Sequence, residues 1–164
     1  MGKSVTIVRF TDEEIRAGLR DPGTLERLLN QAIPSHGPRS CDLHDLWDGV
    51  DYLLAGPSAE PQIHLIKRGE VRFEGLSDSA HGFTSAAARS LAGQLETLGV
   101  ETLRGRYQPE RMKDAVYPGR LWIRPESFED SFQELVKAFE RARRFISRVA
   151  AEGDGLVVCH FEDL

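Results

Sequence analysis

The sequence predicts an α+β fold, and three observations carry that prediction. Residues 4–10 (SVTIVRF) and 155–161 (GLVVCHF) are apolar, β-branched runs, the composition of buried strands. Between Ser127 and Ala151, the residues Phe128, Phe132, Leu135, Val136, Phe139, Ala142, Ile146 and Val149 recur at three- and four-residue spacing, which places one apolar stripe along a long helix. In residues 42–56 (DLHDLWDGVDYLLAG), Leu43, Leu46, Trp47, Val50, Leu53 and Leu54 share one face at about 100° per residue. His44, Asp48 and Asp51 gather on another face, so a helix is expected here with Trp47 in the core and the three ionisable groups in water.

The other elements follow in order. Thr11 and Glu14 form a capping box that starts a short helix to about Leu19. Asp21 and Pro22 read as cap and first position of a second helix, whose Leu25, Leu28, Leu29 and Ile33 keep helical spacing until Pro34. Residues 35–40 are expected to be loop. Gly56 and Pro57 end the Trp47 helix, and 56–62 is a further loop. Residues 62–73 (QIHLIKRGEVRF) offer two extended runs turning at Arg68 and Gly69, and 75–82 (GLSDSAHG) reads as a polar loop. Thr84 or Ser85 caps a helix to about Leu98, and shorter helices are expected at 100–106 and 109–115. Gly153 stops the long helix before the last strand. Pairing the two apolar terminal strands, with the middle hairpin at an edge, gives a small mixed sheet packed against several helices. One domain, residues 1–164, accounts for the chain.

Composition excludes several classes of function. A chain of 164 residues with 21 basic and 26 acidic side chains carries a net charge of −5, which disfavours nucleic acid and anionic membranes as partners. Cys41 and Cys159 stand in no paired spacing, the usage of a protein with reduced thiols, and no apolar run has signal-peptide or membrane-spanning length. The expected location is the cytoplasm. No Walker loop, dinucleotide fingerprint, HExxH or GxSxG motif is present, and no cofactor is expected.

The order of residues around Trp47 resembles the YfbM-like family, a group of bacterial proteins classed as a domain of unknown function. The resemblance rests on Asp42, Trp47, Asp48, Tyr52, Leu54 and Gly56, on Gly82 and Phe83, and on Leu103, Arg104, Tyr107 and Met112. It extends through the Val116, Tyr117, Pro118 and Gly119 element and the long C-terminal helix with its closing strand. The chain departs from the family at Asp51, where members often carry histidine. The resemblance implies a bacterial cytoplasmic protein with an α+β fold, and it implies no reaction.

The candidate groups are few. His44, Asp48 and Asp51 are spaced to converge on a cation, but a set drawn from one helix needs a further donor, and a solvated face is the simpler reading. Cys41 with His44, and Cys159 with His160, fall short of a zinc pattern, and neither thiol has a neighbouring cation in sequence to activate it. The arginines Arg141, Arg143, Arg144 and Arg148 suit either a solvated helix face or an acidic partner. A pocket or interface is expected at Trp47, Asp48, Tyr52, Tyr107, Tyr117 and Trp122, because aromatic residues supply contact area with few rotors. The sequence reading is a non-catalytic protein-binding module of regulatory or immunity type. Its alternative is a small-molecule-binding protein or enzyme with a pocket between the Trp47 helix and the Tyr117 loop, and the two are separated by whether that region is flat or concave.

Overall fold

The computed structural model describes residues 2–33, 39–56, 63–75 and 79–162. Strand β1 (Lys3–Phe10) leads into α1 (Asp12–Arg20) and α2 (Pro22–Ala32), then β2 (Ser40–His44) and α3 (Trp47–Ala55). After β3 (Val71–Phe73) and β4 (Ser79–Phe83) come α4 (Ser85–Glu96), α5 (Val100–Arg106) and α6 (Pro109–Ala115). Two 3₁₀ turns, Gly119–Trp122 and Pro125–Ser127, lead into α7 (Phe128–Ala151) and β5 (Gly155–Glu162).

The five strands form one sheet in the order β2-β1-β5-β4-β3, with every pairing antiparallel. The terminal strands β1 and β5 are central neighbours, as their apolar composition requires, and the hairpin β3–β4 occupies one side with β3 at the edge. Alternation along these strands divides the core. Val5, Ile7, Leu156 and Val158 face α3, α4 and α7, while Val8, Phe10, Val157 and Cys159 face Ile15 of α1 and Leu25 and Leu29 of α2. The rings of Phe132, Phe139 and Phe145 on α7 fill the first layer.

Local sequence signals account for most element ends. Both halves of the Thr11–Glu14 capping box form, Asp21 accepts from the Gly23 N–H ahead of α2, and Gly56 ends α3 with φ of 64°. The long helix and closing strand lie where their patterns put them.

Three expectations are corrected. Residues 40–44 form the edge strand β2 and not the first turn of the Trp47 helix. The Asp42 carboxylate accepts the His44 N–H at 2.7 Å and His44 takes φ of 51°, a local turn that ends the strand two residues before α3 begins. His44 is thereby separated from Asp48 and Asp51. The middle hairpin forms between β3 and β4, so part of the expected 75–82 loop is strand, and residues 63–69 cross the sheet as a strap outside it. The sheet is antiparallel where a mixed one is expected, because β4 runs against β5 and β3 just as β1 runs against β5 and β2. The expected loops at 35–40 and 56–62 lie largely outside the described residues, as do 76–78. No helix among the described residues is long and apolar enough to cross a membrane.

Candidate functional site

The strap over β4 and β5 organises a cleft. Ile63, Leu65 and Ile66 turn inward, and the free carbonyls of Leu65 and Ile66 accept the Nε2–H of His81 at 2.7 Å and of His160 at 2.6 Å. His81 on β4 and His160 on β5 share one sheet face, since Ser79 is paired with His160, and their ring centroids are 6.0 Å apart. Gly69 lets the strap come this close: a Cβ there would lie 2.7 Å from His81 Cδ2 and 2.8 Å from the Gly82 carbonyl.

The carbonyl partners require a proton on Nε2, so whenever either ring is neutral its lone pair is on Nδ1. No other hydrogen bond engages either ring among the described residues. No buried side-chain nitrogen or oxygen lacks a partner among them, so the unbonded Nδ1 of His81 reaches solvent even though the residue is only 8% exposed. Burial holds the His81 imidazole below its ordinary range, the backbone hydrogen bond opposes this, and His160 adds to it.

Trp47, only 9% exposed, forms the wall beside His160, with their rings edge to face at 5.5 Å. Its Nε1–H donates to the Lys3 carbonyl at 3.2 Å, and Tyr117 stacks on it at 5.9 Å. Tyr117 also accepts the Lys3 N–H on its hydroxyl, so β1, α3 and the Tyr117 element are joined at one point. The cleft enclosed by Trp47, the strap, His81 and His160 has a volume of about 480 Å³, and Lys67, Arg68 and Arg72 line it.

Asp48 is the largest departure from the expected pattern. Its carboxylate is buried, accepting the Tyr117 N–H at 2.9 Å and pairing with Lys67 Nζ at 3.1 Å, so it is not on a solvated face. Asp51 is half-buried and pairs with the same ammonium at 3.4 Å; burial pushes its carboxyl up while Lys67 opposes that shift. Burial pulls Lys67 down, but the bonds and charges of the two aspartates outweigh it and its ammonium titrates above the ordinary range. Lys67 is thus largely neutralised, and Arg68 and Arg72 are the cations facing the cleft.

The other expected site residues lie elsewhere. Tyr52 donates to Gln108 at 3.3 Å and lines a separate hollow of about 310 Å³ beside Arg106, which closes the C-terminus of α3 by donating to the Leu53 carbonyl. Tyr107 packs against Phe132 and donates its hydroxyl to Phe128; burial and the nearby Glu129 push its pKa up to about 12. Trp122 is fully buried and donates to the Val116 carbonyl at 3.0 Å. His44 is exposed, and the Cys41 thiol is pushed up by burial although Arg141 and Arg148 lie close enough to pull it down. Their pull is outweighed by burial, so the Cys41 thiol is not activated. No disulfide joins Cys41 and Cys159, and Cys159 projects to the opposite sheet face from His160. Among the described residues no three His, Cys, Asp or Glu are placed to hold a metal ion.

The histidine pair escaped the sequence reading. The signal was present as His160 within an apolar strand and His81 in a glycine-flanked run, polar residues where a sheet face is otherwise apolar.

The family profile for a domain of unknown function, DUF1877, matches residues 1–159. The chain belongs to this family. Its structure is similar to the crystal structure of YfbM from Escherichia coli, a protein of unknown function, with a TM-score of 0.75 and 16% identity over 96% of this chain and 99% of that one. That likeness establishes the fold. No curated protein matches the chain.

The buried imidazole also gives this DUF1877 protein a pH signature. Unfolded, His81 takes up a proton near its ordinary value of about 6.5, whereas folded it does so only at lower pH. The unfolded state therefore binds more protons below that value, and stability falls as pH drops through it. Urea unfolding at pH 7.5 and 5.5 is expected to show this loss in the wild type and a smaller one in His81→Gln, which keeps a donor for the Leu65 carbonyl. Equal pH dependence in both proteins would mean that His81 titrates as in the unfolded chain.

Proposed function

We propose that the protein binds a small anionic molecule in the cleft beside Trp47, with His81 and His160 forming its polar floor. The observation that supports this most is convergence: α3, the strap, β3, β4 and β5 bring an indole, two imidazoles and two arginines to one concavity. Ligand sites have this form, with apolar and aromatic walls and a few polar groups fixing orientation. Arg68 and Arg72 supply the electrostatic attraction. Trp47 offers a flat wall to an unsaturated ring. An anion beside His81 stabilises its protonated form, so its Nδ1 takes up a proton on binding and donates it in a hydrogen bond.

The reading of a protein partner at the Tyr117 and Trp122 element has less support, since Trp122 lies in the core and Tyr117 covers Trp47. A bacterial, cytoplasmic setting is part of the proposal and rests on the sequence resemblance and on the thiol usage.

Phenyl phosphate combines a flat ring with an anion and is the probe for this cleft. Calorimetric titration is expected to give saturable one-site binding with proton uptake. Removal of a charge-assisted hydrogen bond of about 1.5 kcal/mol in Arg72→Ala weakens binding about tenfold. Arg72 is exposed, so the variant keeps the fold. An absence of saturation at millimolar probe, or wild-type affinity retained in both Arg72→Ala and His160→Gln, would remove the proposal.

A further inference from the structure

The groups that line the Trp47 cleft stand in a definite order. Strands β1, β5, β4 and β3 are consecutive neighbours in the sheet, and the cleft crosses one face of them. Trp47 is tied to β1 through the Lys3 carbonyl, and its ring centre is 5.5 Å from that of His160 on β5. His160 is in turn 6.0 Å from His81 on β4. Arg72 on β3 is paired in register with His81, so the two project from the same face with Cβ atoms about 5 Å apart. An indole and a guanidinium therefore stand at opposite ends of a row, with two imidazoles between them.

Charge follows the same axis. At the Trp47 end, Asp48 and Asp51 share one ammonium, with Lys67 at 3.1 Å and 3.4 Å. At the β3 end Arg72 is exposed and has no carboxylate within ion-pair distance among the described residues. An anionic group is thus drawn to Arg72 and turned away from α3. In the middle of the row neither imidazole Nδ1 has a hydrogen bond among the described residues. Ser79, paired in register with His160, brings a hydroxyl to the same stretch.

From this order we infer that the cleft takes a nucleoside monophosphate, with its base against Trp47, its ribose over His160 and its phosphate at His81 and Arg72. The inference rests on the small-anion reading above and names the ligand class. A ribose hydroxyl donates to the Nδ1 lone pair of neutral His160, while the phosphate accepts from Arg72 and from the Nδ1–H that His81 gains beside an anion. Inorganic phosphate or a simple carboxylate fills only the Arg72 end and leaves the indole uncovered. Phenyl phosphate joins ring to anion without a hydroxylated middle. The volume of about 480 Å³ is in the range of small-ligand sites.

Calorimetric titrations compare three probes: adenylate (AMP), its dideoxy analogue lacking both ribose hydroxyls, and phenyl phosphate. AMP is expected to bind the wild type at least about tenfold more tightly than phenyl phosphate does. The dideoxy analogue is expected to bind about fivefold more weakly than AMP, the effect of one neutral hydrogen bond. In His160→Phe, which keeps a ring and removes the acceptor, that difference is expected to vanish, and circular dichroism checks that the variant is folded. The wild-type comparison needs no variant. Equal binding of AMP and phenyl phosphate, or of AMP and its dideoxy analogue, overturns the inference and leaves the small-anion reading standing. A dideoxy penalty that persists in folded His160→Phe overturns it by moving the ribose away from that imidazole. No saturation by any of the three probes removes both.

Discussion

Replacement of Trp122 by alanine is expected to lower the unfolding free energy by about 3–5 kcal/mol, the range for removing a fully buried large aromatic side chain. The indole is the largest side chain with no exposure, and it stands where three parts of the chain meet. Its six-membered ring lies against Gly49 of α3, where a Cβ would come within 3.2 Å of it and 2.5 Å of Leu135. Its edge meets Tyr107 at 6.2 Å, and its Nε1–H is spent on the Val116 carbonyl. Neither α3 nor α7 can close the void without moving the other, since both are anchored on the sheet. Trp122→Phe restores part of the volume but leaves the Val116 carbonyl without its donor, so it falls between the two. Urea unfolding followed by circular dichroism measures all three. A loss below about 1 kcal/mol for Trp122→Ala would place the ring at the surface.

Asp48→Ala is expected to cost about 2 kcal/mol. The larger share comes from the Tyr117 N–H, which loses its acceptor in a part-buried position. The ion pair with Lys67 contributes less, because the lysine side chain is more than half exposed and solvent screens it. Asp48→Asn keeps an amide oxygen for the Tyr117 N–H and is therefore expected to recover most of the loss. The same order is expected in the Trp47 fluorescence, since the Asp48 contact positions the ring that stacks on Trp47. Equal stability of Asp48→Ala and wild type would restore the solvated carboxylate that helical periodicity alone suggests.

The contrast at Asp48 shows which parts of this protein can be read from its sequence. Elements whose partners are local were legible: the Thr11–Glu14 box, the Asp21–Pro22 start of α2, the stripe on α7 and the apolar runs of β1 and β5 each declare themselves within a few residues. Trp47 was legible as a buried ring for the same reason. Asp48 was not, because its two partners come from Lys67 and Tyr117, and periodicity sees an acidic residue beside an apolar face. β2 was missed because Leu43 satisfies both a helical stripe and an inward strand position, and the Asp42 turn that decides between them is a side-chain bond.

The cleft was hidden for a related reason. Its floor joins His81 and His160 from strands far apart in sequence, and its roof is a strap whose carbonyls bond to imidazoles and so resemble neither strand nor turn in the sequence. Of the aromatic set singled out by composition, Trp47 lines this cleft and Tyr117 stacks on it, while Tyr52, Tyr107 and Trp122 serve other contacts. Concavity at Trp47, together with ionisable groups drawn from separated segments, is the feature that shifts the functional reading from a flat partner surface to a small ligand.

The most direct measurement is a long-range ¹H–¹⁵N spectrum of the histidine side chains during titration with phenyl phosphate. The account predicts that His81 and His160 both carry a proton on Nε2, and that their Nδ1 resonances then move together to saturation while those of the exposed His44, away from the cleft, stay in place. A bare Nε2 on either ring in the free protein, or Nδ1 signals of His81 and His160 unmoved by the probe, would contradict it.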